Sequence, residues 1–201
     1  MPAGSTPDPD EQTLTSVPKK SALITGITSQ YSTEFLVVIP TNLYGPGDNY
    51  HPENSYVIPA LISKFHQAWV RGDKAVTIWG GGNPQREFPY GDDMADACVL
   101  LMNLPDDKYD SLLGSDESKT GRFEPPLVNI GCGMDVSIGQ LAESVRGTVG
   151  FSGKIIFDRT MPAGTPRKLL DVSRLQSLGW ELKVLLLDGL RTAYVGYCAT
   201  R

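Results

Sequence analysis

This sequence of 201 residues has no long apolar run and no basic excess, and its first residues do not show the pattern expected of a secretory leader. The longest aliphatic runs cover only residues 36–39 and 184–187, whereas a membrane-spanning helix needs about 20 apolar residues. The first residues show no basic segment followed by an apolar one, which argues against a secretory signal. With 18 basic and 23 acidic residues, the net charge is −5. Neither a membrane nor a nucleic acid is therefore expected as a partner, although a local basic pocket is compatible with this charge.

Cysteine and histidine are also scarce. The three cysteines, Cys98, Cys132 and Cys198, are odd in number and widely separated, so they form neither a disulfide framework nor a CxxC site. The two histidines, His51 and His66, lack the paired spacing of zinc ligands. This pattern predicts a protein of the reducing cytoplasm without a metal site.

The beginning of the chain differs in composition from the rest. Residues 1–20 are rich in Pro, Ser, Thr and Asp, which predicts a disordered tail. Residues 21–26 and 35–39 are short apolar runs typical of buried strands. Only about eight residues separate the two runs, too few for the crossover helix that two parallel neighbours require.

From Phe35 onward, predicted strands and helices alternate, which favours an α/β layer structure. A loop over 40–54 is followed by a helix over 55–71 and a strand over 75–79. Asp92 or Asp93 is expected to cap the next helix, and residues 105–126 to form a mobile surface loop. The remaining predictions are strands at 127–130 and 154–157, a helix capped by Ser137, a short helix capped by Asp171, and a last helix over about 187–198.

The loop that follows the second apolar run, residues 40–49, contains Asn42 and several Gly and Pro residues. Ligands bind α/β sheets at the carboxyl ends of strands. Asn42 can both donate to and accept from a cofactor amide or ribose. The alternative is an ordinary connection in which Gly and Pro only form turns.

Two further segments combine glycines with cations. Residues 79–88 offer the Trp79 ring for stacking and the planar Arg86 guanidinium for a phosphate. The alternative is a tight hairpin with a core Trp and a surface Arg. Residues 164–168 place Arg167 and Lys168 on a turn, which suits a diphosphate or is simply a solvated basic turn.

The helix over 55–71 carries Tyr56 and Lys64, eight positions apart. That spacing is a little over two turns, so the two side chains would lie near the same helix face. The alternative is an amphipathic helix that packs on the core, with Lys64 extending its ammonium to water.

Together, these motifs resemble the GDP-L-fucose synthase family of extended short-chain dehydrogenases. The likeness covers residues 36–199 and is densest in four stretches, 37–68, 77–97, 128–143 and 162–180. It implies a truncated, Rossmann-like parallel sheet remnant followed by a nucleotide-sugar-binding α/β domain. It also implies NADP as cofactor and a GDP-sugar as substrate, with GDP-4-keto-6-deoxy-D-mannose epimerised and reduced to GDP-L-fucose.

The resemblance assigns roles to individual residues. Pro40, Thr41, Asn42 and Leu43 correspond to the family's nicotinamide side of the NADP site. Residues that correspond to its GDP-sugar contacts are Lys64, Trp79, Arg86 and Lys168. Tyr56 stands in place of the family's catalytic histidine, and a phenol is a poor substitute for an imidazole near neutral pH.

Other parts of the family pattern are missing. Ala163 stands where many relatives have an acidic residue. No YxxxK helix precedes residues 40–46, and no cysteine corresponds to the family's acid–base cysteine. Residues 20–28 resemble instead the first strand and turn of GDP-mannose 4,6-dehydratase, without its second glycine.

A complete dinucleotide unit needs a βαβ of about 30 residues, for which the chain has no room before residue 40. The predicted organisation is therefore a tail at 1–20, remnant strands at 21–54 and a nucleotide-sugar domain at 55–201. Three hypotheses follow: an impaired NADP-dependent enzyme, a GDP-sugar-binding module without catalysis, and a partial subunit. The last would act as a homodimer or with a partner that supplies the missing half.

Overall fold

The computed structural model describes residues 35–51, 54–113, 126–162 and 164–200. The predicted tail at 1–20 and the predicted strand at 21–26 lie outside the described residues. So does the segment 20–28, whose resemblance to the dehydratase stays a prediction. The described residues belong to two compact units, a small one of residues 35–37, 105–113 and 126–128 and a larger one that comprises all the others.

Helices and strands alternate along the described residues, as the sequence predicts. The helices are α1 (Val57–Arg71), α2 (Gly91–Met102), α3 (Asp106–Leu112), α4 (Ile138–Val149), α5 (Ser173–Ser177) and α6 (Leu186–Ala199). The strands are β1 (Val37–Pro40), β2 (Ala75–Trp79), β3 (Gln85–Arg86), β4 (Leu127–Ile130), β5 (Val136–Ser137), β6 (Lys154–Asp158) and β7 (Arg167–Lys168). The protein is thus an α/β protein.

Helix α1 follows directly from its apolar spacing. Pro59 lies in the first turn, where a backbone N–H would have no helical partner. Gly72 ends the helix with a φ of 71°, a left-handed conformation that glycine adopts readily. The buried apolar residues that recur at three- and four-residue spacing share one face of the helix and are Ile58, Leu61, Ile62, Phe65 and Ala68; Pro59 and Ser63 are buried as well.

The larger unit has its core beneath the parallel pair of β2 and β6, which are in register from Ala75 opposite Lys154 to Trp79 opposite Asp158. Helix α1 packs on α4, and α4 packs on α6. Phe65 and Phe151 meet at 5.6 Å between ring centroids. Other members of this buried cluster include Tyr44, Val76, Ile78, Phe88, Tyr90, Leu141, Val145, Leu190 and Tyr197.

The small sheet that positions the candidate site has the strand order β5, β3, β7. Strand β3 pairs antiparallel with β5 and parallel with β7. The parallel register places Gln85 opposite Arg167 and Arg86 opposite Lys168. The other pairs are β1 with β4 and β2 with β6.

Three local predictions are wrong. Residues 106–112 form α3 rather than a loop, because Pro105 and two aspartates provide a favourable helix start. Helix α2 begins after Tyr90, so Asp92 and Asp93 lie in its first turn rather than at its cap. Helix α5 likewise begins after Val172, although the Asp171 carboxylate still accepts a bond of 2.9 Å from the Ser173 N–H.

Ser137 caps α4 as predicted, and it does so through a complete capping box with Gln140. The predicted strands at 75–79 and 127–130 have the predicted bounds. Across the part of the chain that the structure describes, no helix is both long enough and apolar enough to cross a bilayer.

Candidate functional site

A cavity of about 370 Å³ lies where β1 ends, and two segments line it, residues 40–42 and 168–170. The structure thus joins three of the predicted cofactor-binding residues, Pro40, Thr41 and Asn42, with the predicted substrate-binding residue Lys168. Leu43 is half-buried and is not part of this lining. Thr41 Oγ1 is buried and has no hydrogen-bond partner within the described residues. A buried hydroxyl of this kind is suited to a polar group of a bound molecule.

Asn42 uses its amide inside the protein. Its Nδ2 donates to the main-chain carbonyl of Glu87 at 3.1 Å. One of the two N–H donors of the amide is therefore engaged within the protein, where it fixes the loop after β1 against the residue that follows β3. Among the described residues, the second N–H and the amide oxygen are left for a ligand.

Arg86 and Lys168 lie side by side because β3 and β7 pair in register. Paired residues on neighbouring strands project to the same face, with backbones about 4.8 Å apart. Arg86 Nη1 donates to the Gln85 carbonyl at 2.6 Å, and Nη2 lies 3.5 Å from where a Cβ on Gly164 would sit. In the described residues neither cation forms an ion pair with a carboxylate, so the pair repels itself and attracts an anion.

Arg167, the other cation of the 164–168 segment, is neutralised. Its guanidinium pairs with the Asp135 carboxylate, whose side chain is only 11% exposed. The hydrogen bond from Arg167 lowers the pKa of Asp135 below its ordinary value. The prediction of a turn for Arg167 and Lys168 is wrong, because the two residues form strand β7 through pairing with β3. Of these two cations, only Lys168 has no carboxylate partner among the described residues.

Lys64 and Trp79 belong to a different part of the larger unit. Lys64 Nζ donates to the Thr77 carbonyl on β2 at 3.0 Å. Trp79 ends the same strand with its side chain 65% exposed. No hydrogen bond or ion pair between described residues joins Lys64 or Trp79 to Arg86 or Lys168.

Tyr56 precedes α1 rather than belonging to it. Its backbone is extended, with φ −71° and ψ 174°, and its side chain is 72% exposed. The expectation that Tyr56 and Lys64 share a helix face is therefore wrong, because only Lys64 lies in the helix. Tyr56 is the exposed residue that directly precedes the first turn of α1.

The sequence analysis missed Glu87, which is completely buried. Its Oε1 accepts from the Gly133 N–H at 2.7 Å, and its Oε2 accepts from the Leu170 N–H at 3.1 Å. Gly131 packs so closely that a Cβ there would overlap the Glu87 carboxylate. The two glycines in the segment 131–133 were the available signal, since glycine often marks a close backbone approach.

Cys132 lies between those two glycines. Burial raises the pKa of the Cys132 thiol, and the charge of Glu87 raises it further. The thiol Sγ donates to the Met134 carbonyl at 3.3 Å. A protonated thiol of this kind is inert at neutral pH, because the reactive form of cysteine is the thiolate.

Comparison with known proteins gives a consistent result. Residues 21–112 match the NAD dependent epimerase/dehydratase family. The chain is 49% identical over 168 residues to GDP-L-fucose synthase 1 of Arabidopsis thaliana, covering 84% of this chain and 47% of that protein. It is 44% identical over 167 residues to GDP-L-fucose synthase of Escherichia coli (strain K12), covering 82% and 49%.

A solved structure of similar fold is a GDP-6-OMe-4-keto-L-xylo-heptose reductase from C. jejuni. It superimposes with a TM-score of 0.78 at 29% identity, over 91% of this chain and 59% of that one. With 47% and 49% of the two synthases covered, the chain spans about half the length of the curated relatives that it matches. The chain is thus similar over residues 21–112 to the NAD dependent epimerase/dehydratase family, and over most of its length to about half the length of the GDP-L-fucose synthases.

Proposed function

We propose that the chain serves a GDP-L-fucose synthase reaction, the NADP-dependent epimerisation and reduction of GDP-4-keto-6-deoxy-D-mannose. The observation that carries the proposal is the pairing of Arg86 with Lys168 on adjacent strands. Two cations without carboxylate partners among the described residues, held at one register position, match the charge of a nucleoside diphosphate. Relatives named for this reaction share 44–49% identity with the chain.

The two cations have different tasks in this proposal. The Arg86 guanidinium is planar and can bind two phosphate oxygens at once, which fixes the orientation of the diphosphate. Lys168 contributes a point charge at the edge of the cavity. Trp79 presents an exposed ring on which a guanine base can stack, and Lys64 adds positive charge near the same strand.

The residues of the cavity fit one end of an NADP molecule. A volume of about 370 Å³ is within the range of small-molecule sites, and the unpartnered Thr41 hydroxyl complements a nicotinamide carboxamide. Pro40, Thr41, Asn42 and Leu43 would hold this end. NADPH, when bound, supplies the hydride for the keto group. The described residues of the chain bind and orient the reactants.

Tyr56 is proposed as the acid–base residue in place of the family's histidine. Its exposed position at the start of α1 leaves the hydroxyl accessible to a substrate. A phenol exchanges protons less effectively than an imidazole at neutral pH. We therefore infer that turnover is impaired relative to enzymes with histidine here, and that a Tyr56→His variant is faster.

The proposal extends to the compartment and the assembly. Cys98, Cys132 and Cys198 are all free thiols, which suits the cytoplasm. We propose that the active form is a homodimer or contains a partner chain that supplies the rest of the cofactor domain. In the described residues β1 and β4 form a sheet of two strands. The outer edge of each strand can form backbone hydrogen bonds with a strand of another chain. Light scattering over a concentration series tests this assembly.

The test is a calorimetric titration of the folded protein with GDP and, separately, with NADPH. An Arg–phosphate interaction contributes about 1.5–3 kcal/mol, so Arg86→Ala should weaken GDP binding by about 10- to 150-fold. The matched control is Arg191→Ala, which removes an exposed arginine paired with Asp188 on α6 and should leave GDP binding unchanged.

Each outcome is informative. Binding of both ligands supports the proposal and calls for a turnover assay with NADPH. GDP binding without NADPH binding would indicate that the chain is a GDP-sugar-binding module without the redox reaction. Binding of neither, or equal effects of the two arginine substitutions, would overturn the proposal.

A further inference from the structure

Glu87 is a fully buried carboxylate immediately after Arg86, with 0% exposure. Removing a carboxylate from water is costly unless hydrogen bonds replace its hydration. Here each oxygen accepts a backbone N–H, from Gly133 at 2.7 Å and from Leu170 at 3.1 Å. The side chain thus joins three chain segments that are far apart in sequence.

The position of Glu87 relative to the cavity shows what these bonds hold. Leu170 belongs to one wall of the cavity, and Asn42 belongs to the other. Glu87 contacts both, because its carboxylate accepts from the Leu170 N–H while its carbonyl accepts from Asn42 Nδ2. One residue outside the cavity lining is therefore hydrogen-bonded to both walls.

The same bonds control the two cations. Arg86 is the last residue of β3 and is half-buried, whereas Glu87, directly after it, is completely buried. Strand β7 ends at Lys168, and the Glu87 carboxylate holds the chain two residues later, at Leu170. A pairing of only two residues is weak on its own, so this buried anchor fixes the register that brings Arg86 and Lys168 together.

We propose that Glu87 is the positioning residue of the site, acting through the Arg86–Lys168 pair and through both cavity walls. This inference rests on the proposed binding of GDP by those cations. Loss of the carboxylate should weaken GDP binding although Glu87 itself does not touch the ligand, because the two cations would no longer be held at one fixed spacing.

The experiment compares Glu87→Gln with Asp93→Asn. Asp93 is a second buried carboxylate, 2% exposed, that accepts a backbone N–H from Val184 at 3.0 Å. Glu87→Gln replaces one of two bonded oxygens by an amide group that cannot accept from a backbone N–H. Asp93→Asn removes a buried charge but keeps an oxygen that can accept from the Val184 N–H. Both should lower the urea midpoint, but only Glu87→Gln should raise the dissociation constant of GDP, by at least tenfold, in the folded protein.

A double-mutant cycle separates positioning from general loosening of the fold. In an Arg86→Ala background, Glu87→Gln should change GDP affinity less than threefold, because the residue through which it acts is already gone. A tenfold effect in both backgrounds, or an unchanged dissociation constant for Glu87→Gln, overturns the inference. Wild-type protein that binds no GDP would instead overturn the proposed function.

If Glu87→Gln fails to fold, Asn42→Ala takes its place. This change removes only the side-chain bond to the Glu87 carbonyl and releases one cavity wall. GDP affinity should then fall at least threefold at an almost unchanged urea midpoint. An unchanged affinity would show that the cavity walls do not depend on Glu87.

Discussion

Gly189 on α6 and Gly147 on α4 offer a paired test of how the loop after β1 is held, because both lie inside helices and only one is in close contact. A Cβ on Gly189 would overlap the Tyr44 hydroxyl and lie 2.9 Å from Tyr44 Cζ and 3.0 Å from Tyr90 Cδ2. A Cβ on Gly147 would meet nothing within 4 Å. The same substitution, Gly→Ala, therefore has opposite consequences at the two positions.

The magnitudes follow from two opposing terms. Alanine stabilises a helix over glycine by up to about 1 kcal/mol, which is the whole effect expected for Gly147→Ala. At Gly189 an overpacking cost of about 1–3 kcal/mol opposes it. Tyr44 cannot move aside easily, since its ring is 3% exposed and its hydroxyl donates to the Leu186 carbonyl at 3.2 Å. Burial also raises the pKa of Tyr44, so this donor keeps its proton.

The assay is urea denaturation followed by tryptophan fluorescence. Gly147→Ala should raise the free energy of unfolding by about 0.5–1 kcal/mol, and Gly189→Ala should lower it by about 1–2 kcal/mol. The reasoning would be refuted if the two variants were equally stable. Because Tyr44 follows Leu43 in the loop that is proposed to hold NADP, Gly189→Ala should also weaken NADPH binding, whereas Gly147→Ala should not.

Two further predictions concern the start of α4 and the ion pair between Arg167 and Asp135. Ser137→Ala removes the capping box with Gln140 and should cost about 1 kcal/mol of unfolding free energy in the same assay, while Ser137→Asp, which keeps a capping oxygen, should cost much less. Arg167 lowers the pKa of Asp135, so the stability from this pair is present above the unfolded-state pKa of about 3.9. It is lost as pH falls through the lower folded-state pKa. The thermal midpoint of Asp135→Asn should therefore fall less steeply below about pH 4 than that of the wild type, and parallel curves would contradict the assignment.

Local patterns in the sequence were sufficient for most of the elements. The strand at 75–79 and the helix at 57–71 each bury one face. The apolar residues of that face recur with the period of a strand or a helix, so the pattern is visible in the sequence. Ser137 followed by Gln140 is a local signal for a helix start. Helix α3 was missed because its residues, from Asp106 to Leu112, are mostly polar and carry no apolar period.

The candidate site was less predictable because its geometry depends on contacts between distant segments. Arg86 and its partner Lys168 are 82 positions apart in the sequence. Strands β3 and β7 have two residues each, which is too short for a local sequence pattern that would predict their register. Glu87 resembles a surface residue in sequence, since glutamate is rarely buried. The domain boundary at residue 54 and the individual ligand roles stay predictions.

The orientation of the short strand β3 also depends on the number of residues between the two points that hold it. Upstream, the Gly82 and Pro84 carbonyls accept from the N–H groups of Gly139 and Ile138, and downstream the chain is anchored at Glu87. A single inserted or deleted residue between these points would turn Arg86 to the opposite face of the sheet. Asn83 is exposed between them, so the position of Arg86 depends on the number of residues from 82 to 87 rather than on the side chain at position 83.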